Sequence, residues 1–499
     1  MRPKPLLLAL AAILSGPAAA AAAPMEVAAA LQKAQLLAAD NDCPAALATL
    51  EPLLGETTGR EHEAVQAGRL LCLLRVGRLD EGAAAHRELL AASPDNPVVR
   101  SFGLLLAAAQ GRFADSADQL AAIATDAPRL LGGFNSQLWT SLSRELTREG
   151  DYARRYRTAL ALARANWQPA DGTDISQDLS GDAVRALIAD GKAGEAEPFL
   201  ADIDRPEELL RMAGERRYAA LWPAIEERLG PRGEKAIGRF ASRSLSALAT
   251  AAGDPRTRRE AIEAFEMLNR HEDADLLSRQ VTIDEAMGED DFTAVLYGAA
   301  ALVASGNADG ALDRLRALAR LDPDKSPVAA NGRLYLARWL QDLGHNDEAL
   351  AVAREGLAHP QRYNAFGLAW LRRAEGCALY GLGRVDEAGA SIAAIRVADN
   401  PGAAIETMLC TGRFAEASAA AVATLSDAEQ ASRLIAFLQP GGAQLFFIPT
   451  PTDAAWAKLA ADPAVKAAFA RVGRALPRDY WPAPGEQPLP RLPNRAKTV

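Results

Sequence analysis

The chain is poor in the residues from which active sites are usually built. Its five histidines, His62, His86, His271, His345 and His359, lie far apart. His62-Glu63-Ala64-Val65-Gln66 lacks the second histidine of a zinc-binding helix. There is no G-x-S-x-G elbow, no phosphate loop and no dinucleotide fingerprint. Acid clusters such as Glu289-Asp290-Asp291 lack the ligand alternation of a calcium loop and read as helix starts, where negative charge favours the N-terminal dipole. The sequence therefore calls for no catalytic residue, no metal and no cofactor. Excess basic charge is missing too: 55 Lys and Arg face 64 Asp and Glu, a formal net charge of −9 that argues against a nucleic-acid partner. After the first two dozen residues no apolar run is long enough to span a bilayer. Aromatic and β-branched residues are few against abundant alanine, which points to helices throughout.

What is present begins with a sorting signal. Arg2 and Lys4 give a positive start, Leu6 to Leu14 form a short apolar core, and Ala20 and Ala22 fit an A-x-A cleavage site. Pro24 disfavours cutting after Ala23, so the expected signal peptide is 1–22. Its loss removes two basic residues and no acid, leaving a more acidic mature chain. The expected location is the periplasm.

A turn motif then recurs: a small residue, a polar one, an apolar one, an acid and a small residue. It reads Gly77-Arg78-Leu79-Asp80-Glu81-Gly82 and Gly111-Arg112-Phe113-Ala114-Asp115-Ser116, and again at Gly383-Arg384-Val385-Asp386-Glu387-Ala388 and Gly412-Arg413-Phe414-Ala415-Glu416-Ala417. The anchors Asn41, Gly77, Gly111, Gly150 and Gly191 are spaced by 36, 34, 39 and 41 residues, and Gly306, Gly344, Gly383 and Gly412 by 38, 39 and 29. Five residues after each anchor a small side chain is expected where two helices cross: Ala46, Gly82, Ser116, Ala196, Ala311, Ala349, Ala388 and Ala417, with Arg155 the exception. Two residues after the anchor, Cys43, Leu79, Phe113, Tyr152, Val385 and Phe414 are expected to plug the hairpin. Proline closes several hairpins, at Pro94, Pro128, Pro323 and Pro360.

Over residues 26 to 438 this pattern resembles the tetratricopeptide-repeat family, whose period is about 34 residues. Trp139 and Leu142 before Gly150, and Gly376 before Gly383, match the family's first-helix signature; most other copies lack the aromatic. The resemblance implies an all-α superhelical solenoid of helical hairpins, a surface for holding other molecules. Expected repeats fill 24–167 and 183–438, joined by a loop at 168–182 rich in Asp, Gly and Ser. Residues 205 to 290 match least; Arg216-Arg217-Tyr218-Ala219 and His271-Glu272-Asp273-Ala274 read as eroded turns.

From Pro440 the composition changes. Pro440-Gly441-Gly442 breaks the helix, Leu445-Phe446-Phe447-Ile448-Pro449 is a short apolar run, and two helices follow. Trp456, Asp462-Pro463, Phe469, Gly473 and Tyr480-Trp481 resemble the end of the repeat region in bacterial repeat-containing cyclases and transcriptional regulators. That likeness implies a helical cap over 440–481 that covers the last apolar face. The proline-rich stretch 482–499 is expected to be an extended tail.

Two further groups invite a reading. Four cysteines allow three pairings, and an exported chain meets an oxidising compartment. Stacked hairpins bring Cys43 towards Cys72 and Cys377 towards Cys410; the alternative is four small buried thiols. The aromatics Tyr335, Trp339, Tyr363, Phe366 and Trp370 share helix faces around the Gly344 hairpin, either as core or as the floor of a concave groove for a peptide. Arg333, Arg338, Arg372 and Arg373 lie close by, as carboxylate clamps or as solvent-facing charges.

The expected function is a non-catalytic, exported scaffold for a protein or peptide in the cell envelope. The alternative is an accessory subunit of an envelope complex that exports or modifies polymers or assembles the outer membrane. An enzyme framed by the solenoid has little support in the sequence.

Overall fold

A computed structural model describes residues 25–94, 96–440 and 452–482. The signal stretch 1–22, the run Leu445–Pro449 and the tail beyond Pro482 lie outside them. Among the described residues the fold is all-α, with one isolated antiparallel bridge between Glu215 and Gly473. None of the described helices is long and apolar enough to cross a membrane. The chain divides into two compact units, one ending at Ile203 and the other beginning at Asp204.

Unit 1 is a run of helical hairpins: α1 (Met25–Ala39) with α2 (Cys43–Leu50), α3 (Gly59–Arg75) with α4 (Leu79–Ala92), α5 (Pro97–Ala109) with α6 (Phe113–Asp126), α7 (Ser136–Glu149) with α8 (Tyr152–Arg164), and α9 (Ser176–Ala189) with the short α10 (Ala193–Ala196). In unit 2, α11 (Pro206–Gly214), α12 (Trp222–Leu229) and α13 (Glu234–Thr250) lead into a second run. Its hairpins are α14 (Pro255–Met267) with α15 (His271–Ser278), α16 (Glu289–Ala304) with α17 (Ala308–Ala319), α18 (Ala329–Asp342) with α19 (Asn346–Leu357), α20 (Ala365–Gly381) with α21 (Val385–Ala393), and α22 (Pro401–Cys410) with α23 (Phe414–Leu425). Three helices end it: α24 (Ala428–Ile435), α25 (Asp453–Ala461) and α26 (Pro463–Val472).

The turns show why the motif recurs. Each anchor glycine has a left-handed backbone, from φ 72 at Gly191 to φ 86 at Gly344, which side chains disfavour. Its N–H donates three residues back and the next N–H five back, as in Gly77 to Leu74 and Arg78 to Leu73; this double closure satisfies the carbonyls that end the first helix. The second helix starts at once, in several hairpins under an acceptor side chain such as Asp42, Asp151 or Asn307. Asn41, at φ 63, replaces glycine once. So does Asn269 (φ 54), with Ala274 fully buried five residues on. The stretch His271–Ala274, read above as an eroded turn, is thus a true hairpin start with asparagine as its anchor. Arg216–Ala219 is not a turn of this kind but part of a 3-10 segment running from Arg216 to Leu221.

The crossing residues Ala46, Ser116, Ala196, Ala311, Ala349, Ala388 and Ala417 are all buried. Arg155 escapes the rule because its guanidinium reaches the buried Asp182 of α9 at 2.7 Å and Thr147 at 2.9 Å. That contact also corrects the expected loop. The stretch 168–182 is irregular only to Ile175, and Ser180, Gly181 and Asp182 pack inside α9. Their small and polar composition reflects a close crossing and an ion pair, and the units part at Ile203, later than that stretch. The plug positions also differ from expectation. Cys43 is buried, Leu79, Phe113 and Phe414 are partly so, and Val385 is 55% exposed.

Unit 2 closes on itself. Arg474, just beyond α26, donates to the Ala213 carbonyl at 2.7 Å and pairs with Glu226 at 2.5 Å. Its guanidinium lies 3.6 Å from the Trp222 ring centroid. Arg217 reaches Glu429 of α24 at 3.1 Å and Ser432 at 3.1 Å. The end of unit 2 therefore packs against its beginning.

Candidate functional site

The first helices α18, α20 and α22 lie side by side, α16 reaches α18 through a ring contact, and shared side chains run across them. The Phe292 and Tyr335 rings meet edge to face at 5.8 Å between α16 and α18. Between α18 and α20, the Arg338 guanidinium sits 4.1 Å from the Trp370 ring centroid. Arg373 is 0% exposed and donates to Asp342 at 2.5 Å on one side and to Glu406 of α22 on the other. These pairs span 31 and 33 residues, one repeat each way. Burial pushes the Asp342 carboxyl above the ordinary aspartate range against the pull of Arg373. Two further guanidinium nitrogens of Arg373, Nε and Nη1, are buried without a hydrogen-bond partner.

This stripe sorts the residues singled out in the sequence. Trp370 is 6% exposed and belongs to a core cluster with Leu334, Ala337 and Leu371. Tyr335 and Trp339 are half-buried against the neighbouring core, which contains Leu336 and Leu340. Tyr363, half-buried, lays its hydroxyl 3.2 Å from where a side chain at Gly356 would begin. Phe366 is 50% exposed, with its ring 6.4 Å from that of Trp370. The five aromatics therefore divide: Trp370 is core, Tyr335, Trp339 and Tyr363 are half-buried, and Phe366 faces solvent.

The arginines divide as well. Arg372 donates to the Ala394 carbonyl and so caps α21. Arg333 pairs with Glu355 at 3.0 Å. Arg373 is the buried centre of the ladder and not a solvent-facing charge. Adjacent positions on a helix point about a hundred degrees apart, which separates Arg372 from Arg373. The acids that complete the ladder, Asp342 and Glu406, carried one faint signal in the sequence: opposite charges recurring at the repeat period on first helices.

At its far end the stripe is covered. Eight of the ten residues of α22 are buried, from Pro401 to Thr407 and at Leu409. The Phe437 ring lies 3.0 Å from where a side chain at Gly402 would begin, and stacks on Trp456 of α25 at 5.1 Å. Thr452 donates its hydroxyl to Glu406 at 3.4 Å.

The sulfurs are joined in both hairpin pairs. Cys43 bridges to Cys72 between α2 and α3, with Cα atoms 5.0 Å apart, and Cys377 to Cys410 between α20 and α22, at 5.6 Å. The histidines are dispersed: His62 meets Glu88 at 2.8 Å, His271 meets Glu266 at 2.9 Å, and His86 approaches the Val99 carbonyl at 3.1 Å. Among the described residues no cluster of three or more His, Cys, Asp or Glu side chains is placed to hold a metal. A cavity of about 280 Å³ opens between Leu302, Asn307, Gly310, Arg279 and Arg314. Asp275 faces both of its arginines, at 2.5 Å and 3.8 Å, and offsets their charge.

No protein-family model matches the chain, and no curated protein matches it. Among solved structures, yeast Tom70 aligns at a TM-score of 0.35 with 12% identity, covering 82% of this chain and 94% of Tom70. A structure of Naa15/Naa10 bound to HypK-THB aligns at 0.28 with 14% identity, covering 82% of this chain and 67% of the other. At such scores neither alignment bears on function. The helical-hairpin fold of tetratricopeptide type rests on the turns and crossings described above.

Proposed function

We propose that this chain is a non-catalytic, exported scaffold that holds a protein or peptide along the first helices of unit 2. The observation that carries the reading is the stripe from Phe292 to Glu406, where buried ion pairs and a cation–ring contact fix α18, α20 and α22 in register and a ring contact joins α16 to them. Such a surface presents half-buried Tyr335 and Trp339 and exposed Phe366 at fixed separations, and aromatic side chains so placed are effective anchors for a peptide. Export through a cleaved signal is supported by Arg2, Lys4, the Leu6–Leu14 core and Ala20-x-Ala22. Two bridged cysteine pairs suit an oxidising periplasm.

A photo-crosslinking amino acid at Phe366, compared with one at Leu276, tests the reading in intact cells. Leu276 is 66% exposed but lies on α15, a second helix. A discrete adduct from position 366 and none from 276, recovered in the periplasmic fraction, is the expected outcome. Equal adducts at both positions, or none at 366, would overturn the groove. Recovery of the uncleaved chain from the cytoplasm would overturn export.

A further inference from the structure

Of the four arginines beside the stripe, three are spent on other groups. Arg333 pairs with Glu355 at 3.0 Å, Arg372 caps α21, and Arg373 is shared between Asp342 and Glu406. Arg338 is the exception. Its Nε lies 3.8 Å from Asp342 Oδ2, beyond hydrogen-bond reach, and is buried without a partner. The other oxygen of Asp342 is taken by Arg373 at 2.5 Å. The two Nη atoms of Arg338 reach solvent, and among the described residues they donate to nothing. The Arg338 side chain is 29% exposed, against 11% for Asp342 and 5% for Glu406, so the charge shown to solvent here is mainly positive.

This guanidinium is nevertheless fixed. It sits 4.1 Å from the ring centroid of Trp370, which is itself a core residue. A cation already ordered on an aromatic floor gives up little freedom when a ligand arrives. Its two Nη atoms offer one carboxylate a forked, charge-assisted pair of hydrogen bonds. The neighbours are set by register. The contacts of Leu334 with Gly367, Arg338 with Trp370 and Asp342 with Arg373 run in the same sense, so α18 and α20 are parallel. Tyr335 and Phe366 therefore lie one turn before Arg338 and Trp370, as an aromatic row beside the cation. Arg338 starts on α18 and leans onto α20, between the two accessible rings of that row.

We infer that Arg338 binds an Asp or Glu side chain inside the partner segment, placed between an apolar residue that covers Tyr335 and another that covers Phe366. A chain-terminal carboxylate fits less well, because it would leave one of the two rings uncovered. This deepens the scaffold reading and rests on it, because it takes the same stripe as the binding face.

The test pans the full-length protein with random peptides fused through their C-termini to a phage coat protein, which leaves no free peptide carboxylate. The selected peptides should be enriched in Asp or Glu between apolar positions. Against Arg338→Gln the apolar preference should remain and the acidic one vanish, while Arg333→Gln should leave both unchanged. A selected peptide, labelled with fluorescein, should lose at least about tenfold in affinity by anisotropy when its acid is replaced by the matching amide. That swap on the unaltered protein needs no variant, so it stands even if Arg338→Gln fails to fold. Arg338→Lys, which keeps the charge without the fork, should retain the acidic preference in weaker form. Freeing the C-terminal carboxylate of the amide-substituted peptide should not restore affinity; if it does, Arg338 takes a chain end and the proposal fails. Apolar peptides selected without an acid, or an acidic preference that survives in folded Arg338→Gln, overturn the proposal and leave the scaffold reading intact. If no peptide is enriched on any of these proteins, the scaffold reading fails and this proposal with it.

Discussion

The two units are made from the same hairpin and stabilised differently. Unit 1 is joined mainly by apolar packing between neighbours, with Phe102, Leu104, Leu120, Leu138 and Leu142 in one cluster and few buried charges, chiefly Arg69 and Asp182. Unit 2 buries Glu215, Glu263, Glu266, Arg373 and Glu406, and its ion pairs tie residues more than two hundred positions apart. Apolar burial stabilises many arrangements of similar shape, at about 1.5–3 kcal/mol for each large side chain. A buried ion pair adds little net stability but penalises every arrangement in which it is unpaired. The difference suggests that unit 2 is held to one register along its stripe, whereas unit 1 needs only to stay stacked.

The largest effect should come from the ladder. Arg373→Met strands Asp342 and Glu406 in a buried site and should cost unit 2 about 3–5 kcal/mol. Replacing all three residues by apolar ones of similar volume should recover most of that loss. Unit-resolved hydrogen exchange in urea measures both. If Arg373→Met costs under about 1 kcal/mol, water reaches the ladder and the contrast between the units fails.

The disulfides come next and should treat the units alike. Cys43–Cys72 and Cys377–Cys410 close loops of similar length, with separations of 29 and 33 residues. Opening either by Cys→Ser should cost about 2–4 kcal/mol in its own unit alone. Mass analysis of non-reduced envelope protein should find both bridges. Four free thiols would remove this shared clamp and with it a support for export.

A third, smaller effect concerns the crossings. Ala388 is buried where α21 meets α20, so Ala388→Leu should cost about 1–3 kcal/mol by overpacking. Arg155→Ala in unit 1 sharpens the point: if Arg155 is there for Asp182, the loss should match a broken, half-buried ion pair and not a packing defect.

The sequence made the hairpins legible wherever backbone geometry demanded a residue type. A left-handed turn needs glycine or asparagine, and a helix crossing needs a small side chain, so Gly77, Gly383 and Ala388 announce themselves. Asn41 announced itself by lying 36 residues before Gly77, whereas Asn269 follows the preceding anchor, Gly191, by 78 residues, so spacing alone did not mark it. Asp182 misled because one residue type serves both loops and buried ion pairs. The closure of unit 2 left no local trace: Arg474 and Glu226 are ordinary charged residues until the fold brings them together. In the candidate site the aromatic cluster was visible as spacing, but only packing distinguishes buried Trp370 from exposed Phe366.

The smallest effect is a pH dependence confined to unit 2. Glu207 of α11 lies near Glu263 of α14, and burial, reinforced by the Glu263 charge, pushes the Glu207 carboxyl up to about 8. Arg205, 3.7 Å from Glu263, opposes that rise; Arg259 pairs with Glu263 at 3.4 Å, and Glu260 and Asp290 take part of the charge of the two arginines. The folded pKa is raised, so folded unit 2 binds a proton that the unfolded chain releases above its ordinary value near 4.5. The stabilisation is complete below that value and is lost as pH rises towards 8. Because Glu207 lies in the first turn of α11 and keeps some exposure, local opening should limit the penalty to a fall of roughly 2–4 °C in the Tm of unit 2. Glu207→Gln should flatten the profile between pH 5 and pH 8, about the window set by the two values. Unit 1 contains no such carboxyl pair among its described residues and should show no matching slope. An equal slope in both units would assign the effect to net charge and not to this pair.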